Sequence, residues 1–143
     1  VVGVADRDPH IPPTTRTDAG EGLRTVVDLA KPNGEWVGSV TVLVEEAGTT
    51  DWAGFPVERR QGHVVGVYVR PEHRGCGLTE VLFDEALQWA WDIGVERVRL
   101  IVHEDNGRAL RFYRRIGFLP SGVTVPLTAG SAESELEYVL ERR

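Results

Sequence analysis

Two stretches in the first third of the chain alternate apolar and polar residues on either side of a turn sequence. Leu23 to Ala30 and Glu35 to Glu46 are separated by Lys31-Pro32-Asn33-Gly34. This alternation is typical of strands that bury one face, and Asn-Gly is a favoured hairpin turn. The pattern therefore predicts a β-hairpin. Residues 1–22 contain three prolines and many polar residues, so we expect a loop there with one short strand at most.

The middle of the chain changes from strand to helix periodicity. After a polar loop over Ala47 to Gln61, the run Gly62 to Arg70 predicts a third strand, which ends at Pro71 because proline keeps the preceding residue extended. A helix is then predicted from about Gly77 to Gly94. Its apolar residues recur at steps of three and four: Leu78, Val81, Leu82, Ala86, Trp89, Ala90 and Ile93.

The remaining residues complete an alternating order of strands and helices. Val95 to His103 predicts a strand with one well-buried face, and Asn106 to Ile116 predicts a second helix that ends before Gly117. Phe118 to Pro126 and Ser134 to Leu140 predict two closing strands. The order of hairpin, strand, helix, strand, helix and two strands predicts a mixed α/β sheet.

Composition limits the chain to one ordinary domain. With 143 residues, 41% of them hydrophobic and 27% charged, residues 1–143 form one globular domain with room for one active site. No apolar run reaches the roughly eighteen residues of a membrane span, and no signal peptide pattern opens the chain, so we expect a cytoplasmic protein. The chain has no methionine, which leaves open whether the N-terminal part is truncated.

The net charge and the number of metal-ligating residues indicate which partners and metals to expect. The formal net charge of −6 disfavours nucleic acid and favours a cationic amine as partner. His73 and Cys76 stand three residues apart, but there is no second pair of ligands, so we expect no metal site. Cys76 is the only cysteine and has no partner for an intramolecular disulfide.

The segment Arg74-Gly75-Cys76-Gly77-Leu78 lies where the third strand gives way to the helix. Glycines at alternate positions let backbone N–H groups turn inward, and a helix N-terminus adds partial positive charge, so the pattern predicts an anion cradle. Arg74 adds a cation suited to a phosphate. The segment is not a nucleotide P-loop, since no Gly-Lys-Ser/Thr follows, and Glu80 stands where a dinucleotide fingerprint needs its third glycine.

A second motif follows downstream, over Asn106-Gly107-Arg108-Ala109-Leu110-Arg111-Phe112-Tyr113 and Gly117-Phe118. Together the two segments resemble the GNAT superfamily of N-acetyltransferases, most strongly over Val64 to Phe118. The phosphate-loop pattern of that family, Arg/Gln-x-x-Gly-x-Gly/Ala, falls on Arg74, Gly77 and Thr79, where threonine replaces the last small residue. The resemblance implies a twisted mixed sheet with flanking helices and a V-shaped opening between the third strand and the Val95 strand.

The resemblance also implies an activity and a site. The expected reaction is transfer of an acetyl group from acetyl-CoA to a primary amine by direct attack in a ternary complex. Backbone groups on the third strand are expected to bind the pantetheine arm, loop amides the pyrophosphate, and the start of the second helix the cofactor arm. On the third strand these are Val67 and Val69. In the loop they are Arg74, Gly75, Cys76, Gly77, Leu78 and Thr79, and on the second helix they are Asn106 and Ala109.

Two residues are expected to move protons. The resemblance places Tyr113 near the cofactor sulfur, where its hydroxyl would protonate the leaving thiolate. For the base that deprotonates the amine, His63 is our first candidate because imidazole titrates near neutral pH. Glu45, Glu46 and Glu58 are the other candidates.

Plainer interpretations stay open for several of these residues. Tyr113 could be only a core aromatic residue, Asn106 only a helix N-cap, and the arginines of the second helix only a solvated face. The short region before Leu23 and the presence of Thr79 also leave room for a protein that binds acyl-CoA as a sensor without turnover. The acceptor amine is not identified by the sequence, and a homodimer is left open.

Overall fold

The computed structural model describes residues 13–18, 23–51, 55–75, 77–126 and 134–142. They form one seven-stranded sheet with strand order β1-β2-β3-β4-β5-β7-β6. The strands are β1 (Thr14–Asp18), β2 (Arg24–Ala30), β3 (Trp36–Glu45), β4 (Gln61–Val69), β5 (Arg97–His103), β6 (Leu119–Pro126) and β7 (Ser134–Glu141). The helices are α1 (Leu78–Asp92) and α2 (Gly107–Arg115), and a 3-10 turn (Pro71–His73) precedes α1.

Strands β4 and β5 separate along their length. They are parallel neighbours, but they pair only over Gly62–Val64 and Val98–Leu100. Further along β4, the pairing with β3 shifts between Thr41 and Val42, which leaves Val65 as a β-bulge. The last four residues before Val69 are exposed. The sheet is therefore open in a V whose closed end lies at Val64 and Leu100.

Both helices pack on the same face of this sheet. Phe83 of α1 contacts the rings of Phe112 and Tyr113 on α2 with centroid distances of 5.7 Å. The spacing of apolar residues on α1 predicts this packing, because its buried residues lie one turn apart along one side. They are Leu78, Leu82, Phe83, Ala86 and Ala90, and they meet Val27, Val40, Val42, Val64 and Val69 of the sheet in the main core.

The opposite face of the sheet carries charged side chains that are also buried. Arg99 is 4% exposed although β5 was expected to bury one face well. The loop between β3 and β4 explains the difference, because it brings Asp51 to 2.9 Å from the Arg99 guanidinium. The guanidinium is therefore buried by a segment far away in sequence.

The predicted order of elements and the mixed α/β fold are confirmed. The short strand expected within residues 1–22 is β1, while residues 1–12 and 19–22 lie outside the described part of the chain. That residues 1–143 form one domain stays a prediction. Within the described residues, neither helix is long and apolar enough to cross a membrane.

Candidate active site

A cleft of about 710 Å³ lies between three segments. They are the end of β4 at Val67–Val69, where β5 no longer pairs with it, the loop that contains Gly75 and Gly77 (the glycine loop), and the first turns of α2. The V-shaped opening of the sheet gives the cleft one wall, because β5 does not pair with this end of β4. Its lining comes from segments that are distant in sequence. The residues are Val67, Tyr68, Val69, Arg74, Gly75, Gly77, Thr79, Glu80, Asn106, Arg108, Ala109, Arg111, Phe112, Tyr113 and Arg115.

The free edge of β4 offers backbone groups to the cleft. In an antiparallel pair, residues alternate between facing the partner strand and facing away from it. Arg70 donates its N–H to Val37 of β3, and Tyr68 lies opposite Ser39, so Arg70 and Tyr68 face β3. The N–H and C=O groups of Val67 and Val69 therefore point towards the side from which β5 has diverged.

The glycine loop has a backbone that only glycine adopts easily. Gly75 and Gly77 have φ values of +82° and +86°, in the left-handed region where a Cβ is unfavourable. Apart from the adjacent residues of the chain, a Cβ built at either glycine would meet no described atom within 4 Å. Among the described residues, no side chain caps the N-terminus of α1, so N–H groups of its first turn are open to an anion.

Side chains around this loop divide between the cleft and the core. Nε of Arg74 donates to the carbonyl oxygen of Val69 at 2.8 Å, and its guanidinium lies 5.7 Å from the centre of the Tyr68 ring. Thr79 lines the cleft with a half-buried side chain. Leu78 is 8% exposed and packs in the core, so its side chain does not line the cleft. Cys76 lies outside the described residues.

The start of α2 forms the facing wall. Oδ1 of Asn106 accepts a hydrogen bond from the backbone N–H of Ala109 at 3.3 Å, which is the N-cap arrangement. Asn106 is exposed and lines the cleft together with Ala109. Its amide NH₂ group points to no partner among the described residues, so the side chain can cap the helix and still donate to a ligand.

Tyr113 sits deeper in the same cleft. Its ring is packed against Phe83, Phe112 and Phe118, with centroid distances of 5.6–6.1 Å. Burial raises the pKa of its hydroxyl above the ordinary value, because the charged form is poorly solvated there. The hydroxyl is therefore protonated at neutral pH and makes no hydrogen bond to another described residue.

The cleft is positively charged in a protein that is acidic overall. Among the described lining residues are four arginines, Arg74, Arg108, Arg111 and Arg115, against the single carboxylate of Glu80. The arginines of α2 were expected to form a solvated face, with Arg108 or Arg111 as candidate contacts of a cofactor phosphate; Arg108, Arg111 and Arg115 are exposed and also line the cleft. Arg114 differs from them, because its Nε donates to the Tyr138 hydroxyl at 3.1 Å.

His63 is not part of this cleft. It lies on β4 opposite Leu43 and beside Arg99 of β5, one residue before the strands part. Its side chain is on the sheet face opposite the helices, and the residue as a whole is 3% exposed. Nδ1 of the ring is 3.2 Å from Oε2 of Glu45. The structure thus brings Tyr113 together with the predicted cofactor residues, apart from the core residue Leu78 and Cys76, which is not described, and it keeps His63 across the sheet from them.

The polar cluster around Arg99 was not predicted from the sequence. Arg99 pairs with Glu45, Asp51 and Glu137 at 2.9–3.1 Å. These four residues are too far apart in the sequence for a local pattern to predict that they meet. One signal was available: Arg97 and Arg99 occupy alternate positions of an otherwise apolar strand, and a buried arginine needs carboxylate partners.

A family model for "Acetyltransferase (GNAT) family" matches residues 5–118. This match covers most of the chain and both motifs. The chain belongs to the GNAT acetyltransferase family.

Several GNAT relatives share moderate identity with the chain. Mycothiol acetyltransferase of Beutenbergia cavernae is 34% identical over 110 residues, which are 72% of this chain and 37% of that protein. Glucosamine 6-phosphate N-acetyltransferase of Trypanosoma brucei brucei is 29% identical over 68% of this chain and 60% of its own length. Peptidyl-lysine N-acetyltransferase YjaB of Escherichia coli is 33% identical over 42% of this chain and 37% of its own. The chain thus spans little more than a third of the first of these relatives.

Solved structures support the GNAT fold. Arabidopsis thaliana NAA60 in complex with a bisubstrate analogue matches with a TM-score of 0.69 and 21% identity, over 86% of this chain and 78% of its own. The same protein in complex with acetyl-CoA matches with a TM-score of 0.63 over 80% of this chain and 76% of its own, again at 21% identity. Nourseothricin acetyltransferase matches with a TM-score of 0.65 and 23% identity, over 93% of this chain and 86% of its own. The expected GNAT-type sheet with splayed central strands is therefore confirmed.

Proposed function

We propose that this chain is an N-acetyltransferase that moves the acetyl group of acetyl-CoA to a primary amine by direct attack in a ternary complex. One observation carries the proposal. The cleft unites the glycine loop, the free edge of β4, the start of α2 and Tyr113, which come from separate parts of the chain. Acyl transfer from a thioester needs these parts in one place: an anion cradle, a strand edge with free amides, and a proton donor.

The residues of the cleft fit the chemistry of acetyl-CoA. The left-handed glycines Gly75 and Gly77 leave the loop without side-chain obstruction, and four arginines supply positive charge for its phosphates. In our proposal Arg74, Gly75, Gly77, Leu78 and Thr79 hold the pyrophosphate, together with Cys76 of the same loop. Asn106, Ala109 and the backbones of Val67 and Val69 hold the pantetheine arm. The bound thioester supplies the activated acetyl group.

A backbone N–H on the free edge of β4 stabilises the negative charge that develops on the acetyl oxygen. Such a donor is fixed by the sheet before the reaction begins, so it costs no reorganisation when charge appears. The groups of Val67 and Val69 face the cleft for this purpose.

Tyr113 donates a proton to the leaving sulfur. Tyr113 lines the cleft, and its hydroxyl is kept protonated because burial raises its pKa and is not engaged by another described residue. The aromatic rings around it fix its position. A positioned general acid of this kind is worth on the order of a hundredfold in rate.

His63 is the proposed base for the acceptor amine. It lies on the sheet face opposite the helices, next to the last β4–β5 pair, so an amine that enters the V from that face would pass it. The acceptor itself is a small molecule or a peptide, and the acidic chain favours a cationic one. We place the protein in the cytoplasm, in keeping with its single cysteine.

One observation favours a second function. His63 is 3% exposed and bonded to Glu45, so the first candidate base is less accessible than a base on a cleft wall. A GNAT-fold protein that binds acyl-CoA as a sensor, without turnover, would have the same cleft and would not need His63.

The test follows thiol release from acetyl-CoA with a panel of primary amines: a peptide N-terminus, a lysine peptide, spermidine and an aminosugar. We expect turnover with at least one amine. Isothermal titration with coenzyme A, on the wild type and on Arg74→Glu, measures the cofactor site separately, and we expect Arg74→Glu to weaken binding. Binding without turnover of any amine would favour the sensor, and no binding would overturn both functions.

A further inference from the structure

The ring of His63 belongs to a buried polar cluster on the face of the sheet opposite the cofactor cleft. Its side chain is 4% exposed, and Nδ1 lies 3.2 Å from Oε2 of Glu45. No described residue forms a hydrogen bond with Nε2, the other ring nitrogen. One nitrogen of the imidazole is thus engaged, while the other is left for a further partner.

The Glu45 carboxylate decides which nitrogen carries the proton. Burial alone would raise the pKa of Glu45, but hydrogen bonds from His63 and Arg99 outweigh it and lower the pKa to about 2. The carboxylate is therefore ionised at neutral pH and can only accept. It follows that Nδ1 of a neutral His63 carries the hydrogen and donates it to Glu45, and that Nε2 has a free lone pair.

Glu45 is itself held in place from two sides. Nε of Arg99 donates to Oε1 and Nη2 donates to Oε2, both at 2.9 Å. The side-chain amide of Gln61 donates to Oε1 at 2.8 Å. A bidentate arginine fixes the plane of a carboxylate, so the oxygen that meets His63 has little freedom to move.

The surrounding charges keep this arrangement ionised. Arg99 also pairs with Asp51 of the β3–β4 loop at 2.9 Å and with Glu137 of β7 at 3.1 Å. Arg97 of β5 pairs with Glu137 at 3.3 Å. Burial lowers the pKa of Arg99, but its hydrogen bonds to Glu45 and Glu137 outweigh this and raise it. A buried guanidinium with three carboxylates is costly to assemble unless the geometry is exact, and it holds its members rigidly.

We propose that Glu45 is a positioning residue for acetyl transfer: it accepts the Nδ1–H of His63 and so directs the free lone pair of Nε2 to the ammonium group of the acceptor. This inference rests on the proposed function. Arg99 acts on His63 indirectly, because it fixes the carboxylate of Glu45.

The protons balance in this scheme. In the transfer an N–C bond forms and the C–S bond of the thioester breaks. The acceptor nitrogen loses two protons in all. One replaces the proton that Tyr113 gives to the leaving sulfur, and the other passes through Nε2 of His63 to solvent.

The test compares Glu45→Gln with Glu137→Gln. Both variants remove one carboxylate charge from Arg99, but only Glu45 contacts His63. Correlation NMR of ¹⁵N-labelled protein without substrate reads the ring tautomer. We expect Nδ1–H for wild type and Glu137→Gln, and loss of that preference in Glu45→Gln. With an amine that is turned over, kcat should fall at least about tenfold in Glu45→Gln and stay within about twofold in Glu137→Gln.

The two readouts separate the possible failures. An Nε2–H tautomer in the wild type overturns the inference without any variant, so it is testable even where Glu45→Gln does not fold. Equal losses of kcat in both variants, or an unchanged kcat in Glu45→Gln, also overturn it. If the wild type shows Nδ1–H but turns over no amine, the proposed function fails first, and the role of Glu45 in it fails as a consequence.

Discussion

At the scale of single residues, Tyr113 is the proton donor of the proposed mechanism. Replacing Tyr113 by Phe removes the hydroxyl and keeps the ring that packs against Phe83 and Phe118. We expect kcat to fall by about a hundredfold, with little change in the KM for acetyl-CoA, because the loss acts on proton transfer. Steady-state kinetics of thiol release measures both constants.

Tyr68 provides the matched control for that substitution. It lines the same cleft but is 45% exposed and stacks on Trp36 of β3. Tyr68→Phe keeps the stacking and should leave kcat within about twofold. Full activity in Tyr113→Phe would show that another group or water protonates the sulfur.

The lowered pKa of Glu45 predicts how the free energy of unfolding changes with pH. Its pKa is about 2 in the folded protein against an ordinary 4.5, so the ionised carboxylate stabilises the fold above about pH 4.5 and loses this effect as the pH falls towards 2. Glu45→Gln should lower the free energy of unfolding by about 2 kcal/mol near pH 7, a figure reduced for solvent screening. The difference from wild type should shrink steadily below pH 4.5.

Urea unfolding of both proteins from pH 7 to pH 3 measures this difference. Glu46→Gln is the control, because Glu46 is exposed and its ion pair with Arg60 lies at the surface. It should change the free energy of unfolding by less than about 1 kcal/mol. A Glu45→Gln penalty that is constant over the whole range would contradict the low pKa of the buried carboxyl.

At the scale of elements, the turn from β4 into α1 can be tested through its backbone. Gly77 and Gly34 share left-handed φ values of +86° and +88°, and at neither would a built Cβ lie within 4 Å of a described atom beyond the adjacent residues. Replacing either by Ala should therefore cost a similar free energy of unfolding, about 1 kcal/mol. Only Gly77→Ala should weaken binding of coenzyme A, by about tenfold, because a Cβ there enters the anion cradle.

Thermal unfolding and isothermal titration with coenzyme A separate the two effects. Gly34 lies in the β2–β3 turn, so Gly34→Ala reports the backbone strain alone. If both variants bind coenzyme A as tightly as wild type, the loop between β4 and α1 is not the phosphate site.

At the scale of the whole molecule, charge is distributed unevenly. The net charge is −6, yet the described cleft lining has four arginines and one carboxylate. Coenzyme A carries several phosphate charges, so under the proposed function its attraction to the cleft is electrostatic and is screened by salt. We expect its Kd to rise about tenfold between 50 mM and 500 mM NaCl.

Isothermal titration at the two salt concentrations measures this rise. Arg108→Ala should reduce the salt dependence, whereas Arg16→Ala, whose side chain pairs with Asp28 on β1 and β2, should leave it unchanged. A Kd that does not change with salt would argue against a phosphate role for the arginines of α2.

Much of the fold follows from the sequence because local patterns determine it. Alternation in β2 to β5, the periodicity of α1, and the stops at Pro71 and Gly94 predict element order and approximate bounds. The glycine loop and the Asn106 to Phe118 motif predict the two walls of the cleft, since each is a contiguous segment whose function depends on its own backbone. Their roles in binding remain predictions.

What the sequence alone determined is therefore the order of elements and the contiguous motifs. The tertiary structure alone decided which side chains meet across the sheet. Glu45, His63 and Arg99 come from three strands, and Asp51 comes from a loop, so their contact depends on strand register. Register and loop placement depend on packing of the whole sheet, which no short stretch of sequence encodes. For the same physical reason, His63 lies across the sheet from Tyr113 although both were predicted at one site.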